Sequence, residues 1–252
     1  MSFEVYGKSE IGLVRGNNED RILIDASLGL FLVCDGMGGQ EHGEVAAELA
    51  AAAIRFYVDS SQDRLDVSWP FGYNFDLSVD ANRIVTAIKL ANRQVWRKAE
   101  QNLECSGMGT TVAAVLLKGD DIVGATVGDS RIYLFRKGKL TQISIDDTLV
   151  ASFVQKGMLS TTEAASHPMR NVLTQAAGSQ ESVEAHLYEE RLEYGDTLLL
   201  CSDGLYGPVD DQKICAILDT PDTVERVADR LVAAAEEAGA PDNVSIILLR
   251  YT

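Results

Sequence analysis

The feature that most restricts the fold is a set of short strand-like runs joined by segments too short for crossovers. RILID (21–25), LFLVC (30–34), TVAAVLL (111–117), DIVGATVG (121–128), RIYLF (131–135), DTLLLC (196–201) and VSIILLRY (244–251) are rich in leucine and branched residues, as strands are. Ile22 and Ile24 share one face of the first run. KGDD (118–121) and RKGK (136–139) read as hairpin turns. Such joints predict antiparallel meanders rather than a parallel sheet.

Helical periodicity falls between groups of strands, not after each one. From Glu44 to about Val58, Val45, Leu49, Ala53 and Tyr57 recur every four residues. From about Asp80 to Gln101, Ile84, Ile88, Ala91 and Val95 form a second stripe. STTE (160–163) has the spacing of a capping box. A last helix is expected to carry Pro221 in its first turn, with Val224, Val227, Ala228, Leu231 and Ala235 on one face. Strand runs interrupted by helix pairs define a layered α+β fold. No repeat or low-complexity linker divides the chain, so residues 1–252 read as a single domain. The irregular segment 59–79 reads as a surface excursion. Its Trp69, Phe71, Tyr73 and Phe75 are expected to pack on the body.

Two apolar runs lead into an aspartate followed by glycine: LFLVCDGMGG reaches Asp35–Gly36, and LLLCSDGL reaches Asp203–Gly204. Asp129 in GDSR, Asp242 in PDNVS and Asp20 at the end of RGNNED also occupy strand ends. Any single Asp–Gly is ordinarily a tight turn. Packed strands bring their ends together, however, and like charges that converge need a cation to neutralise them. Carboxylates, carbonyls and water suit hard divalent ions such as Mg²⁺ or Mn²⁺. His42, His167 and His186 are the only histidines, and no cysteine set matches them, which disfavours zinc. The Gly36 carbonyl is a candidate ligand beside Asp35. Gly38 and Gly39 would let the chain turn without covering an ion. Arg15 is a candidate for holding a phosphate through two N–H donors; its plainer role is to balance Glu19 or Asp20.

The 38 acidic residues outnumber 22 basic ones, a formal net charge of −16. That argues against a nucleic-acid partner and an anionic membrane surface. The N-terminus lacks the layout of a signal peptide. No apolar run approaches the roughly 20 residues of a membrane span. Cys34, Cys105, Cys201 and Cys215 form no C-x-x-C pair and read as small thiols in a reducing setting. A cytoplasmic location is expected.

RGNNED, DGMGG with GEVAA, GMGTT, GDSR, SDGL and DNVS occur in the order and rough spacing of the metal-dependent protein serine/threonine phosphatases of the type 2C class. Over essentially its whole length the chain resembles the bacterial branch of that family. Residues 152–179 are similar to that branch's flap and the segment after it, the flap lying near 146–170. The resemblance implies a four-layer α-β-β-α sandwich of two antiparallel β-sheets flanked by helices. It implies two Mn²⁺ or Mg²⁺ ions, a third-metal site, and a bridging water activated for in-line attack on phosphorus. Asp35 resembles the bridging ligand and Gly36 a carbonyl ligand of the second metal. Asp203 and Asp242 resemble ligands of the first metal. Asp20 resembles a residue holding the second metal through water, with Glu19 a weaker candidate. Asp129, with Asp203, resembles the third-metal site, and Arg15 the phosphate-binding arginine.

The implied substrates are phosphoserine and phosphothreonine proteins, with a serine/threonine kinase as counterpart and a monomeric enzyme. A regulatory target such as an anti-sigma-factor antagonist, a small phosphometabolite, and a non-catalytic interaction module stay open alternatives at this point. Two positions depart from the family. Met37 stands where animal members often carry histidine, as in most bacterial members, which leaves the proton donor unassigned. Asp147, in DDT (146–148), stands where bacterial relatives usually read histidine near the flap.

Overall fold

The computed structural model describes residues 2–38, 42–62, 64 and 66–252. Gly39 therefore lies outside the described residues, and its expected turn with it. In chain order the elements begin with β1 (Phe3–Glu10), β2 (Arg21–Asp25), β3 (Leu30–Cys34), β4 (Gly36–Met37), α1 (Gly43–Ser61) and α2 (Val79–Gln101). There follow β5 (Gly109–Thr110), β6 (Val112–Lys118), β7 (Asp121–Val127), β8 (Arg131–Arg136) and β9 (Lys139–Gln142). The chain then forms α3 (Leu149–Gln155), α4 (Thr161–Ala165), β10 (His186–Arg191) and β11 (Thr197–Cys201). It closes with α5 (Asp203–Tyr206), α6 (Asp211–Leu218), α7 (Val224–Glu237) and β12 (Val244–Tyr251).

Among the described residues the long strands make two five-stranded sheets, ordered β1-β12-β11-β8-β9 and β10-β7-β6-β3-β2. Every pairing is antiparallel. Both expected hairpins form, with Lys118 opposite Asp121 and Arg136 opposite Lys139.

Side-chain alternation explains the layers. In β3, Phe31 and Val33 enter the core between the sheets, where they meet Ile132, Leu198, Leu200, Ile247 and Leu249. Leu30, Leu32 and Cys34 face the other way, onto Ala46, Ala50 and Ile54 of α1 and Ile84 and Ile88 of α2. In β11, Leu199 and Cys201 lie against Val227, Ala228 and Leu231 of α7. Strands buried on both faces carry no polar position, and this is why LFLVC and LLLC read as unbroken apolar runs. The architecture is the four-layer α-β-β-α sandwich.

Local capping sets several boundaries. The Ser160 hydroxyl accepts from the Glu163 N–H at 3.2 Å while the Glu163 carboxylate accepts from the Ser160 N–H at 2.8 Å. Pro221 is not in the last helix. Thr223 caps α7 by accepting from the Arg226 N–H, so the proline falls in the preceding turn. A β-region hydroxyl residue satisfies an orphan helix donor, which a proline cannot do. The excursion at 59–79 packs only in part: Trp69 lies edge-on to Tyr57 of α1 and to Tyr73, whereas Phe71 and Phe75 stay exposed, Phe75 at 90%. Asn82 of α2 ties it down through the backbone of Asn74 and Leu77.

Candidate metal centre

The centre is built where the inner strands of both sheets end. β3 is buried throughout, and its last residue hands a fixed backbone to Asp35. The Asp35 N–H donates to Thr111 Oγ1 at 3.0 Å; its carbonyl accepts from the Thr111 N–H at 2.8 Å and Thr110 Oγ1 at 2.9 Å. A Cβ on Gly36 would lie 2.2 Å from the Gly43 carbonyl oxygen and 2.5 Å from that of Glu19. Only glycine lets the start of α1 and the 11–20 loop press against this turn.

The second Asp–Gly repeats the device. β11 ends at Cys201, and Asp203 opens α5. A Cβ on Gly204 would lie 1.9 Å from the Asn243 carbonyl oxygen, so the loop bearing Asp242 packs directly on this turn. The Asn243 side chain donates to the carbonyls of Ile11 and Asn17 at 2.8 and 2.9 Å and accepts from the Glu19 N–H at 2.9 Å. One amide thereby joins the Asp242 loop to the loop carrying Arg15. Asp129 sits in the β7–β8 turn after Gly128, whose φ of +92° glycine tolerates. The Tyr206 hydroxyl donates to the Asp129 carbonyl at 2.9 Å, and the Arg131 guanidinium stacks 3.6 Å from the Tyr206 ring centre.

These elements enclose a cleft of about 610 Å³. Asp35, Gly36, Asp129, Asp203, Asp242, Glu19 and Arg15 line it on one side. Asn171, Leu173, Thr174, Gln175 and Ala176 contribute a further stretch of its wall. Asp20 lies beneath the lining, 2% exposed, where the Ser202 hydroxyl donates to its carboxylate at 2.9 Å.

Burial is the leading electrostatic effect. It raises Asp35 well above the usual carboxylate range, and the charges of Asp20, Asp203, Asp129 and Asp242 add to the shift. Burial, then Asp203 and Asp146, push Asp129 up to about 7. Burial and Asp242 push Asp203 up to about 6, although Arg15 and a hydrogen bond with Asp35 oppose the rise. Asp20 reaches about 6 by burial, partly offset by hydrogen bonds from Ser245 and Ser202. Acidic groups from five strand ends thus act on one another within a single field.

Mn²⁺ or Mg²⁺ fits this donor chemistry. The groups are oxygens, they carry excess negative charge, and Arg15 is the only basic side chain among the described residues lining the cleft. Among the described residues, no three or more His, Cys, Asp or Glu side chains gather closely enough to form a ready-made cage. The carboxylates therefore suit an ion that takes part of its shell from a carbonyl and water, as hard divalent ions do. Imidazole or thiolate ligation has no support: Cys34, beside Asp35, is fully buried with its thiol pushed up to about 12.

The structure brings Asp35, Gly36, Asp129, Asp203, Asp242 and Arg15 to one surface and sets Asp20 behind it. Glu19 also lines the cleft, and its carboxylate accepts from the Gly43 N–H at 3.3 Å. The supporting residues Thr111, Ser202, Ser245, Asn243 and Tyr206 were not read from the sequence. Most sit within one to three residues of a candidate aspartate; Thr111 lies in GMGTT. Their adjacency to motif positions was the available signal.

Residues 15–248 match the family model for protein phosphatase 2C. The serine/threonine protein phosphatase PstP of Mycobacterium tuberculosis is 39% identical over 241 residues, covering 96% of this chain and 43% of PstP. The chain thus spans less than half the length of that relative. The serine/threonine phosphatase stp of Listeria monocytogenes is 31% identical over 249 residues, covering 96% of this chain and 93% of stp. Among solved structures, the catalytic domain of PstP in complex with two manganese ions superposes with a TM-score of 0.83 at 34% identity, covering 98% of this chain and 97% of that one. The chain belongs to the protein phosphatase 2C family.

Proposed function

We propose that this chain hydrolyses phosphoserine and phosphothreonine in proteins, in a reaction that depends on Mn²⁺ or Mg²⁺. The observation that carries the reading is the meeting of Asp35, Asp129, Asp203 and Asp242 with Arg15 in one cleft. In this reading Asp35, Asp203 and Asp242 would hold the first ion, Asp35 and the Gly36 carbonyl would hold the second, and Asp20 would support the second from below. Asp129 with Asp203 offers a third-metal site. When bound, such ions supply positive charge at the phosphoryl oxygens and lower the pKa of coordinated water.

The chain's own groups do the rest. Arg15 reaches the cleft rim from the 11–20 loop and donates one bond to Asp242 at 2.6 Å. A guanidinium has five N–H donors, so this bond leaves donors for two phosphate oxygens. The wall at 171–176 lines the same cleft and would contact the residues around a phosphate held there. Cys34 and Cys201 are buried thiols held protonated, which disfavours a phosphocysteine route. Met37 lines the cleft without a proton to give. The same reading takes residues 1–252 as one domain, a monomer in the cytoplasm, opposed by a serine/threonine kinase. Four free cysteines accord with a reducing compartment. Among the described residues, no helix is long and apolar enough to cross a membrane.

The test is turnover of a phosphothreonine peptide by purified protein with Mn²⁺, after chelation, and in Asp35→Asn. Activity that needs Mn²⁺ and vanishes in the variant is expected. Undiminished turnover by the variant would refute the reading.

A further inference from the structure

Asp147 stands where the family resemblance implies a histidine, and its carboxylate does not line the cleft. It is buried, 9% exposed, at the base of the flap between β9 and α3. Its Oδ2 accepts from the Gly128 N–H at 2.9 Å and from Gln175 Nε2 at 2.8 Å. Its Oδ1 lies 2.8 Å from His186 Nε2. In the His186 tautomer that carries its proton on Nε2, the ring donates and the carboxylate oxygen accepts. The Asp147 N–H donates to the Gly128 carbonyl at 2.9 Å, and its carbonyl accepts from the Thr174 N–H at 2.8 Å.

One residue therefore ties together three distant pieces of chain. The first is the turn that carries Asp129. The second is the 171–176 wall, which lines the same cleft as the carboxylates. The third is β10, an edge strand, on which His186 is paired with Thr126. The wall belongs to no sheet. Isolated bridges hold it at Leu173, opposite Thr148, and at Ala177, opposite Thr110. Between those points Gln175 supplies the anchor: Nε2 donates to Asp147 and to the Glu184 carbonyl at 2.8 Å, and Oε1 accepts from the Glu184 N–H at 3.2 Å.

We infer that Asp147, with His186, is a positioning residue for macromolecular substrates, because it fixes the cleft wall that the chain flanking a phosphoresidue must touch. The inference rests on the phosphatase reading. A small aryl phosphate meets the rigid carboxylate side alone, whereas a phosphopeptide also runs along 171–176. Loss of the anchor should therefore separate the two substrates. A merely structural role would not.

The experiment measures kcat and KM at saturating Mn²⁺ on a phosphothreonine peptide and on p-nitrophenyl phosphate. The proteins are wild type, Asp147→Asn, His186→Ala and His186→Gln. Asp147→Asn and His186→Ala should raise peptide KM about tenfold, as loss of a charge-assisted hydrogen bond would, with p-nitrophenyl phosphate kcat/KM within about twofold of wild type. His186→Gln, whose amide can replace the ring N–H, should return peptide KM to near wild type. Parallel losses on both substrates, or no change on either, would overturn the inference. The His186 side chain is one-third exposed, so its variants carry the test if Asp147→Asn does not fold. Wild type inert on both substrates would instead remove the phosphatase reading itself.

Discussion

The Arg15 guanidinium donates to the Asp242 carboxylate across 2.6 Å, joining the loop after β1 to the loop before β12 at the mouth of the cleft. The pair is partly solvated, with side chains 52% and 33% exposed. Its value to stability is small, as for most exposed ion pairs. Its value to function is the placement of a fork beside the carboxylates. Arg15→Ala should raise KM for a phosphothreonine peptide about tenfold or more with little change in melting temperature. Arg15→Lys should recover only part, because an ammonium offers no planar fork. Steady-state kinetics beside a thermal melt checks this.

Asp129→Asn reports on the buried charge. Burial carries this carboxyl from its ordinary 3.8 up to about 7 in the folded chain. The fold favours its protonated form, so wild-type stability from this group is complete below about pH 4 and is lost as pH rises through about 7. About three pH units correspond to about 4 kcal/mol at 1.36 kcal/mol per unit, as an upper figure. In chelator, Asp129→Asn should match wild type near pH 4 and become progressively more stable than it toward pH 8. Urea unfolding of both proteins across that range measures the difference. A difference that stays constant with pH would contradict the assigned burial effect.

Ser202 holds Asp20 from beneath. Its hydroxyl donates to that carboxylate at 2.9 Å and accepts from the Ser245 N–H at 3.0 Å. Ser202→Ala leaves a buried carboxylate and a buried N–H each short of a partner. A loss of about 1–3 kcal/mol follows for such groups. Mn²⁺ affinity should also weaken if Asp20 supports an ion. Chemical denaturation and metal titration of the variant test the two effects separately.

Gly204→Ala should be among the most damaging small substitutions. The added methyl would stand 1.9 Å from the backbone oxygen of Asn243, and no side-chain movement can relieve a backbone collision. The Asp203 and Asp242 loops would have to separate. Metal-dependent activity should fall by orders of magnitude while far-UV circular dichroism stays near wild type. Wild-type activity in this variant would show that the two loops need not be in contact.

The inner fold was legible because its strands are buried on both faces. β3 and β12 take the bounds read from LFLVC and VSIILLRY, whereas β2, half-buried and terminal in its sheet, takes those of RILID through the alternation of Ile22 and Ile24. The strands absent from that reading lie mostly at sheet edges: β1, β9 and β10 are terminal in their sheets and carry half-buried or exposed positions. No position of FEVYGKSE or HLYEER is fully buried and both carry charged residues, so neither shows a continuous apolar run. The aspartates at the cleft were legible through the glycines and small residues beside them. Their partners were not, since Ser202 meets Asp20 across 182 positions and Tyr206 meets Asp129 across 77. Such contacts exist only after both sheets have packed. Asp147 could be singled out from the sequence only as a departure from the family. Its link to His186, 39 residues on, required the fold.

The most direct test of the account is hydrolysis of a phosphothreonine peptide by chelator-stripped protein, followed as Mn²⁺ is restored. Turnover should be absent after chelation, return with Mn²⁺, and fail to return in Asp35→Asn at any Mn²⁺ concentration. Turnover that survives chelation, or that Mn²⁺ restores equally in Asp35→Asn, would contradict a metal centre built on Asp35.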